Sequence, residues 1–256
     1  MGGEGSFSDL LILWIYKGVM SAETVQGNAS VAPRPLLPNA KIYDLMACSP
    51  LLMWYGFCLV QQAPALADEI AAMVLTPPHL LPAINVLSKL AVFFFAAVLI
   101  FLLVARRPAA AKTGGIFPRA AAFFGTFLGV AILLLPRQPI SWELNVLSNA
   151  LIVGGMGFAI YGLLWLGRSI SVMSEARKLV VGGPYTIVRH PLYLGEQVAL
   201  IGVALQYLSP VVIILLVVQL AFQICRMGFE EEILGETFPE YADYKKHTAR
   251  LIPGFY

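Results

Sequence analysis

The 256-residue chain is 59% hydrophobic and only 12% charged, with a mean hydropathy of +0.77 and a formal net charge of +2. A water-soluble domain of this size needs a polar exterior and carries about twice that charged fraction, so the surplus apolar residues must face lipid. The near-neutral balance offers no basic footprint for nucleic acid.

Taken in chain order, the N-terminus lacks a basic leader: Glu4 is the first charge, the apolar run Leu10–Tyr16 meets Lys17 at once, and no small-residue cleavage pattern follows. This predicts a short interfacial helix rather than a signal peptide. Ser21–Ala40, rich in Pro, Asn and Ser, reads as a linker. A membrane span needs about 20 mostly apolar residues, and six segments qualify or nearly so: Asp44–Leu59 (short, with Pro50 able to tilt or break it), Ile84–Ala105, Ala120–Leu135, Leu144–Leu166, Leu192–Leu208 (short and less apolar) and Val211–Met227. Between the first two, Ala63–Ala83 holds Asp68, Glu69 and the Pro77–Pro78 breaker and reads as an interfacial helix followed by a loop. Ser209 and Pro210 separate the last two, which predicts a tight helical hairpin.

The expected fold is therefore an all-α, polytopic integral membrane protein of about six transmembrane helices. Residues 1–43 form an N-terminal interfacial segment and linker, 44–162 the N-terminal transmembrane helices, and 163–256 the C-terminal unit that carries the chemistry. With the N-terminus inside, Lys89 and Arg137 fall on the outer side and the other 15 of the 17 Lys and Arg on the inner side. The positive-inside rule then puts both termini and the loop after the fourth span in the cytoplasm. Cys48, Cys58 and Cys225 lack paired spacing and read as small buried hydrophobes, not as a disulfide framework or a metal site. His79 and His247 read as ordinary surface or interface residues.

The stretch Leu166–Tyr193, LGRSISVMSEARKLVVGGPYTIVRHPLY, is an unusual loop. It mixes apolar residues with Arg177, Lys178, Arg189 and His190. Gly182 and Gly183 permit uncommon backbone angles or a close ligand, and Pro184 and Pro191 fix turns. A basic anchoring loop with Tyr185 and Tyr193 in the interfacial aromatic belt fits equally well. At the inner end of the last span, Arg226 and Glu230 are four apart and share a helix face. Three successive glutamates, Glu230, Glu231 and Glu232, run against the positive bias there and call for a cation: the basic loop, a bound cationic ligand, or both. Tyr241 and Tyr244 share a face of an expected amphipathic C-terminal helix lying on the membrane, which Pro253 ends.

The ordered set G-P-Y-x-x-V-R-H-P-x-Y-x-G, a helical hairpin, R-x-x-x-E-E-x-x-L, Y-x-x-Y and R-L-I-P resembles the isoprenylcysteine carboxyl methyltransferases, which group with the phospholipid methyltransferases. The resemblance covers about Leu163 to Tyr256. It implies a cytoplasmic pocket for S-adenosylmethionine in which Arg177, Lys178, Leu179 and Val180, then Tyr185, then His190, Pro191, Leu192 and Tyr193, and finally Glu230 contact the cofactor. It implies that Arg226 holds a substrate carboxylate. It also implies a lipophilic, isoprenylcysteine-like or otherwise lipidated acceptor drawn from the bilayer, with phospholipid N- and thiol S-methylation as alternatives. R-H-P-x-Y-x-G-E also occurs in NADPH-dependent membrane sterol reductases, and a non-catalytic membrane protein of the same fold is the third reading.

Overall fold

The computed structural model describes residues 40–75, 80–171 and 175–254, with side chains from residue 45 onward except that of Ala47. The expected helix Leu10–Tyr16, the linker before Ala40, the Pro77–Pro78 breaker and His79 lie outside the described residues. Among those described, seven α-helices carry the fold: α1 (Ala40–Leu75), α2 (Leu80–Ala105), α3 (Ile116–Ala131), α4 (Trp142–Leu166), α5 (Pro191–Gln206), α6 (Pro210–Thr237) and α7 (Tyr241–His247). A two-residue antiparallel ladder pairs β1 (Ala111–Lys112) with β2 (Glu175–Ala176).

Among the described residues, five helical segments are long and apolar enough to cross a membrane: Cys48–Leu75, Leu80–Ala105, Ile116–Leu134, Trp142–Ser169 and Pro210–Thr237. The sixth expected span is α5, whose 16 residues reach only about 24 Å at 1.5 Å per residue. The first span differs from its sequence expectation. Instead of stopping near Leu59 before a separate interfacial helix, α1 continues for 36 residues through Pro50 and Pro64. Proline at position 50 leaves the carbonyl of residue 46 without its helical N–H, and the Ser49 hydroxyl donates to that Met46 carbonyl at 2.8 Å. Asp68 and Glu69 thus ride on a continuous helix, and Glu69 pairs with Lys89 of α2. The last span also runs longer than expected. G-F-E-E-E-I-L-G-E-T adds ten residues beyond Met227, in which four Glu and a Leu favour helix despite two glycines and which the Arg226–Glu230 pair supports.

Helix starts follow local chemistry. Ser141 and Ser209 accept from the N–H groups of Leu144 and Val212, each at 3.4 Å, capping α4 and α6. Pro191 and Pro210 open α5 and α6 at the first turn, where a missing N–H costs nothing.

Packing is led by small residues and interior polar contacts, as expected where lipid competes for every apolar surface. α5 packs most extensively on α4, α6 on α3, and α4 also on α2. A Cβ on Gly155 would lie 2.4 Å from the Ala199 nitrogen, and one on Gly195 would lie 2.5 Å from the Ala159 nitrogen. The two backbones therefore touch across a small-residue seam. Below it, Ser148 donates to the Gly202 carbonyl at 2.7 Å and receives Gln206 at 2.8 Å, while Ser88 of α2 donates to Asn149 of α4 at 2.6 Å. Gly195→Val is expected to destabilise the protein by about 3 kcal/mol, the upper end for overpacking, since backbone cannot yield. Gly154→Ala, where nothing lies within 4 Å, should be neutral or slightly stabilising. Thermal unfolding in detergent measures both.

The expected hairpin of α5 and α6 closes at the Ser209 turn and again at its far end, where Tyr193 bonds Glu230. Between these closures the two helices scarcely touch each other, each being held by a different neighbour.

Candidate functional site

The loop that precedes α5 is shaped by two packing demands. Gly183 has φ +60°, and a Cβ there would sit 2.3 Å from the Trp165 ring; one on Gly182 would sit 2.9 Å from it. Both glycines therefore let the loop lie flat against Trp165 of α4, which accounts for the pair without a ligand. A 3-10 turn, Gly183–Thr186, then leads through Val188 to the start of α5. The second demand comes from the C-terminal tail. The N–H groups of Arg189 and His190 donate to the carbonyls of Ala249 and Arg250, at 2.8 and 3.2 Å, so the tail lies beside the R-H-P motif as a short parallel bridge.

Glu231 holds this junction. Its carboxylate accepts from Arg189 Nε at 2.9 Å and lies 3.2 Å from His190 Nε2, and it forms ion pairs with Arg250 at 3.2 Å and Lys245 at 3.5 Å. The Arg189 guanidinium also donates to the Thr248 carbonyl. The three glutamates thus have separate fates: Glu231 binds the tail, Glu232 is exposed, and Glu230 turns to a cleft.

That cleft is open at its mouth, and its empty space comes to about 750 Å³ with the solvent at that mouth included. Arg177, Lys178, Leu179 and Val180 form one wall; Tyr185, His190, Leu192 and Tyr193 form another; Glu230 and Leu234 of α6, with Tyr241 and Tyr244 of α7, complete it. Residues 177 to 180 follow β2 as a bend at Arg177 and then irregular coil. Arg177 is anchored there by Glu175 Oε2 at 2.6 Å and Ser171 Oγ at 2.8 Å, and Lys112 of β1 reaches the same Glu175 at 3.2 Å. The structure thus brings together nine residues singled out in the sequence across more than 50 positions. The tenth, Pro191, is fully buried against Gly162 and does not line the cleft.

Arg226 also stands off the cleft wall. It is 6% exposed, donates from Nε to Glu230 Oε1 at 3.1 Å and from Nη1 to Thr126 of α3 at 3.1 Å, and lies over the Tyr193 ring at 4.9 Å. The expectation that it grips a substrate carboxylate meets a guanidinium already engaged by a carboxylate. Tyr193 donates its hydroxyl to the same Glu230 Oε1 and stacks on His190, the rings 13° from parallel and 5.5 Å apart. Oε2 of Glu230 has no partner among the described residues.

The tail differs from its expectation as well. Only seven residues are helical, and Tyr241 and Tyr244 turn inward rather than lying on a membrane surface. Tyr241 is buried, and the Tyr244 hydroxyl donates to the Tyr185 carbonyl at 2.6 Å. Burial raises the phenol pKa of Tyr185, Tyr241 and Tyr244, so all three remain neutral walls at physiological pH. Sequence reasoning missed Glu231, Arg250 and Glu175 as the residues that assemble the cleft. It also gave no role to Glu196 of α5, the acid that closes R-H-P-x-Y-x-G-E.

Residues 144–241 match the phospholipid methyltransferase family, which belongs to the same group of membrane methyltransferases that the motif set resembles. Two bacterial relatives are similar over the same scale. The chain is 30% identical over 132 residues to the nickel-cobalt-cadmium resistance protein NccN of Alcaligenes xylosoxydans xylosoxydans, covering 49% of this chain and 61% of that protein. It is 30% identical over 118 residues to the cobalt-zinc-cadmium resistance protein CzcN of Cupriavidus metallidurans, covering 44% of this chain and 53% of that protein. The chain thus spans little more than half the length of these curated relatives.

Proposed function

We propose that the chain is an integral membrane methyltransferase that takes S-adenosylmethionine into the cleft between the loop, α5, α6 and α7 and methylates a lipophilic acceptor drawn from the bilayer. One observation carries this reading: Glu230 faces the cleft with one oxygen held by Tyr193 and Arg226 and the other unpartnered among the described residues, whereas the other lining carboxylate, Glu175, is paired with Arg177 and Lys112. The donor set suits the cofactor. Glu230 Oε2 matches its ammonium, the Lys178 side chain its carboxylate, and the tyrosine faces its adenine. When bound, the cofactor supplies an electrophilic methyl on a positive sulfur. The residues of the chain orient it and exclude water from it.

Arg226 serves in this reading as a positioning residue that holds the Glu230 carboxylate in place. Its prior engagement disfavours a carboxylate acceptor such as an isoprenylcysteine and favours an amine, the acceptor that the phospholipid methyltransferase match also suggests. The cleft and both termini are assigned to the cytoplasmic side, on the strength of the Lys and Arg distribution. The two relatives are named for resistance to nickel, cobalt and cadmium and to cobalt, zinc and cadmium. Among the described residues no group of three His, Cys, Asp or Glu is arranged to hold a metal.

Purified protein supplied with methyl-labelled S-adenosylmethionine should transfer label to a lipid extract, into a fraction that partitions with phospholipids. Label appearing in no lipid fraction, with protein that binds the cofactor, would contradict the bilayer-acceptor part of this proposal.

A further inference from the structure

Glu196 is the one acid of α5, three residues past the cleft-lining Tyr193 and so roughly 4.5 Å further along the helix axis. It is partly buried, and no described residue forms a hydrogen bond or ion pair with it. Tyr55 of α1, Tyr185 of the 3-10 turn, Tyr193 of its own helix, and Arg226 and Glu230 of α6 lie within its electrostatic reach. Among these groups Arg226 is the only cation, and it already serves Glu230 at 3.1 Å and Thr126 at 3.1 Å. Two carboxylates therefore face one guanidinium that is committed to the first. A carboxylate withdrawn from water without a partner is costly, and such a group marks a place where a ligand supplies the missing charge. α5 and α6 make little contact with each other between their two closures.

We propose that Glu196 receives the methyl acceptor: its carboxylate pairs with the ammonium of a lipophilic amine and removes the proton. This rests on the methyltransferase reading and on the amine as acceptor. An O–H bond forms on Glu196 as an N–H bond breaks, leaving the lone pair on nitrogen. The nitrogen then bonds the methyl carbon as the carbon–sulfur bond of the sulfonium breaks, and sulfur keeps that electron pair. The product is a methylated ammonium and a neutral thioether, and Glu196 releases its proton to water before the next turnover. Tyr55 and Tyr193 flank the acceptor nitrogen, and Glu230 remains with the cofactor.

Dodecylamine is the probe. Cofactor-free protein should bind it saturably in detergent, and Glu196→Gln should weaken that binding on the order of tenfold or more, with affinity for S-adenosylhomocysteine unchanged. A carbodiimide, which joins a carboxyl to an amine held against it, should leave dodecylamine as an amide on Glu196 of the unaltered protein, read by mass spectrometry. With the cofactor present, Glu196→Gln should slow amine methylation on the order of 100-fold or more near neutral pH. That deficit should shrink as pH approaches the amine's own pKa, about 10, and Glu196→Asp should restore part of the rate. Equal dodecylamine affinity in Glu196→Gln, an amide formed elsewhere but not on Glu196, or a deficit that persists at high pH would overturn the proposal. Methylation of a farnesylcysteine or dodecanethiol probe, with none of dodecylamine, would overturn it while leaving the methyltransferase reading intact. Failure of S-adenosylhomocysteine to bind the unaltered protein would overturn that underlying reading instead.

Discussion

Glu230→Gln is expected to lower affinity for S-adenosylmethionine and S-adenosylhomocysteine by roughly 100-fold while the protein stays folded. The amide keeps an oxygen where Tyr193 and Arg226 bond the carboxylate, at 3.1 Å for Arg226. What it loses is the charge of the second oxygen, the one offered to the cofactor ammonium. Removing one partner of a buried charged contact costs about 2–5 kcal/mol, and each 1.4 kcal/mol is a factor of about ten. Arg226 retains Thr126 and the Tyr193 face, which limits damage to the fold. Titration calorimetry on detergent-purified protein reads the change, and an affinity within twofold of the original would remove Glu230 from the cofactor site.

Glu231→Gln is expected to act on the fold rather than on the ligand. Its carboxylate is 6% exposed and is approached by Arg189, Arg250, His190 and Lys245. Removing it leaves two largely buried guanidiniums facing each other, and breaking a buried pair in this way costs about 3–5 kcal/mol. Lys245, itself 55% exposed, contributes little to that figure because water screens it. The tail from residue 248 should come away from the R-H-P motif, and the Tyr244 contact with Tyr185 should loosen with it. The measurable result is a lower Tm together with new protease sensitivity between residues 240 and 254. A variant that melts and digests like the original protein would show that the tail is held by its backbone bonds alone.

The two variants separate roles that adjacent identical residues hide in the sequence. Helical geometry turns neighbours by about 100°, so Glu230 and Glu231 leave α6 in different directions, one to the cleft and one to the tail. A run of three acids shows only that a cation is needed. The basic loop supplies one for Glu231 through Arg189, and on the functional reading a ligand supplies one for Glu230. Which glutamate meets which cation depends on where the loop and tail come to rest, and that is set by Trp165 packing against Gly182 and Gly183, far along the chain.

Much of the membrane architecture was legible because span length and Lys/Arg placement are strong signals on their own. The continuity of α1 was not, since Pro50 reads as a breaker until the Ser49 hydroxyl is seen to take up the freed carbonyl. The length of α6 beyond Met227 was hidden for a different reason: hydropathy falls there while helix propensity does not. Most of the cleft was legible through motif resemblance, with Arg226 and Pro191 placed behind its wall rather than on it. Glu196 was printed in the motif itself. Its environment depends on Tyr55, more than 140 positions upstream, and on a guanidinium already claimed by another acid. Neither relation leaves a mark in local sequence.

Direct binding to the unaltered detergent-purified protein tests the central claim, with S-adenosylhomocysteine and NADPH titrated side by side. The account predicts saturable binding of S-adenosylhomocysteine and none of NADPH. NADPH binding in its place would make R-H-P-x-Y-x-G-E a reductase feature and contradict the assignment of the cleft, and binding of neither would contradict its being a cofactor site at all.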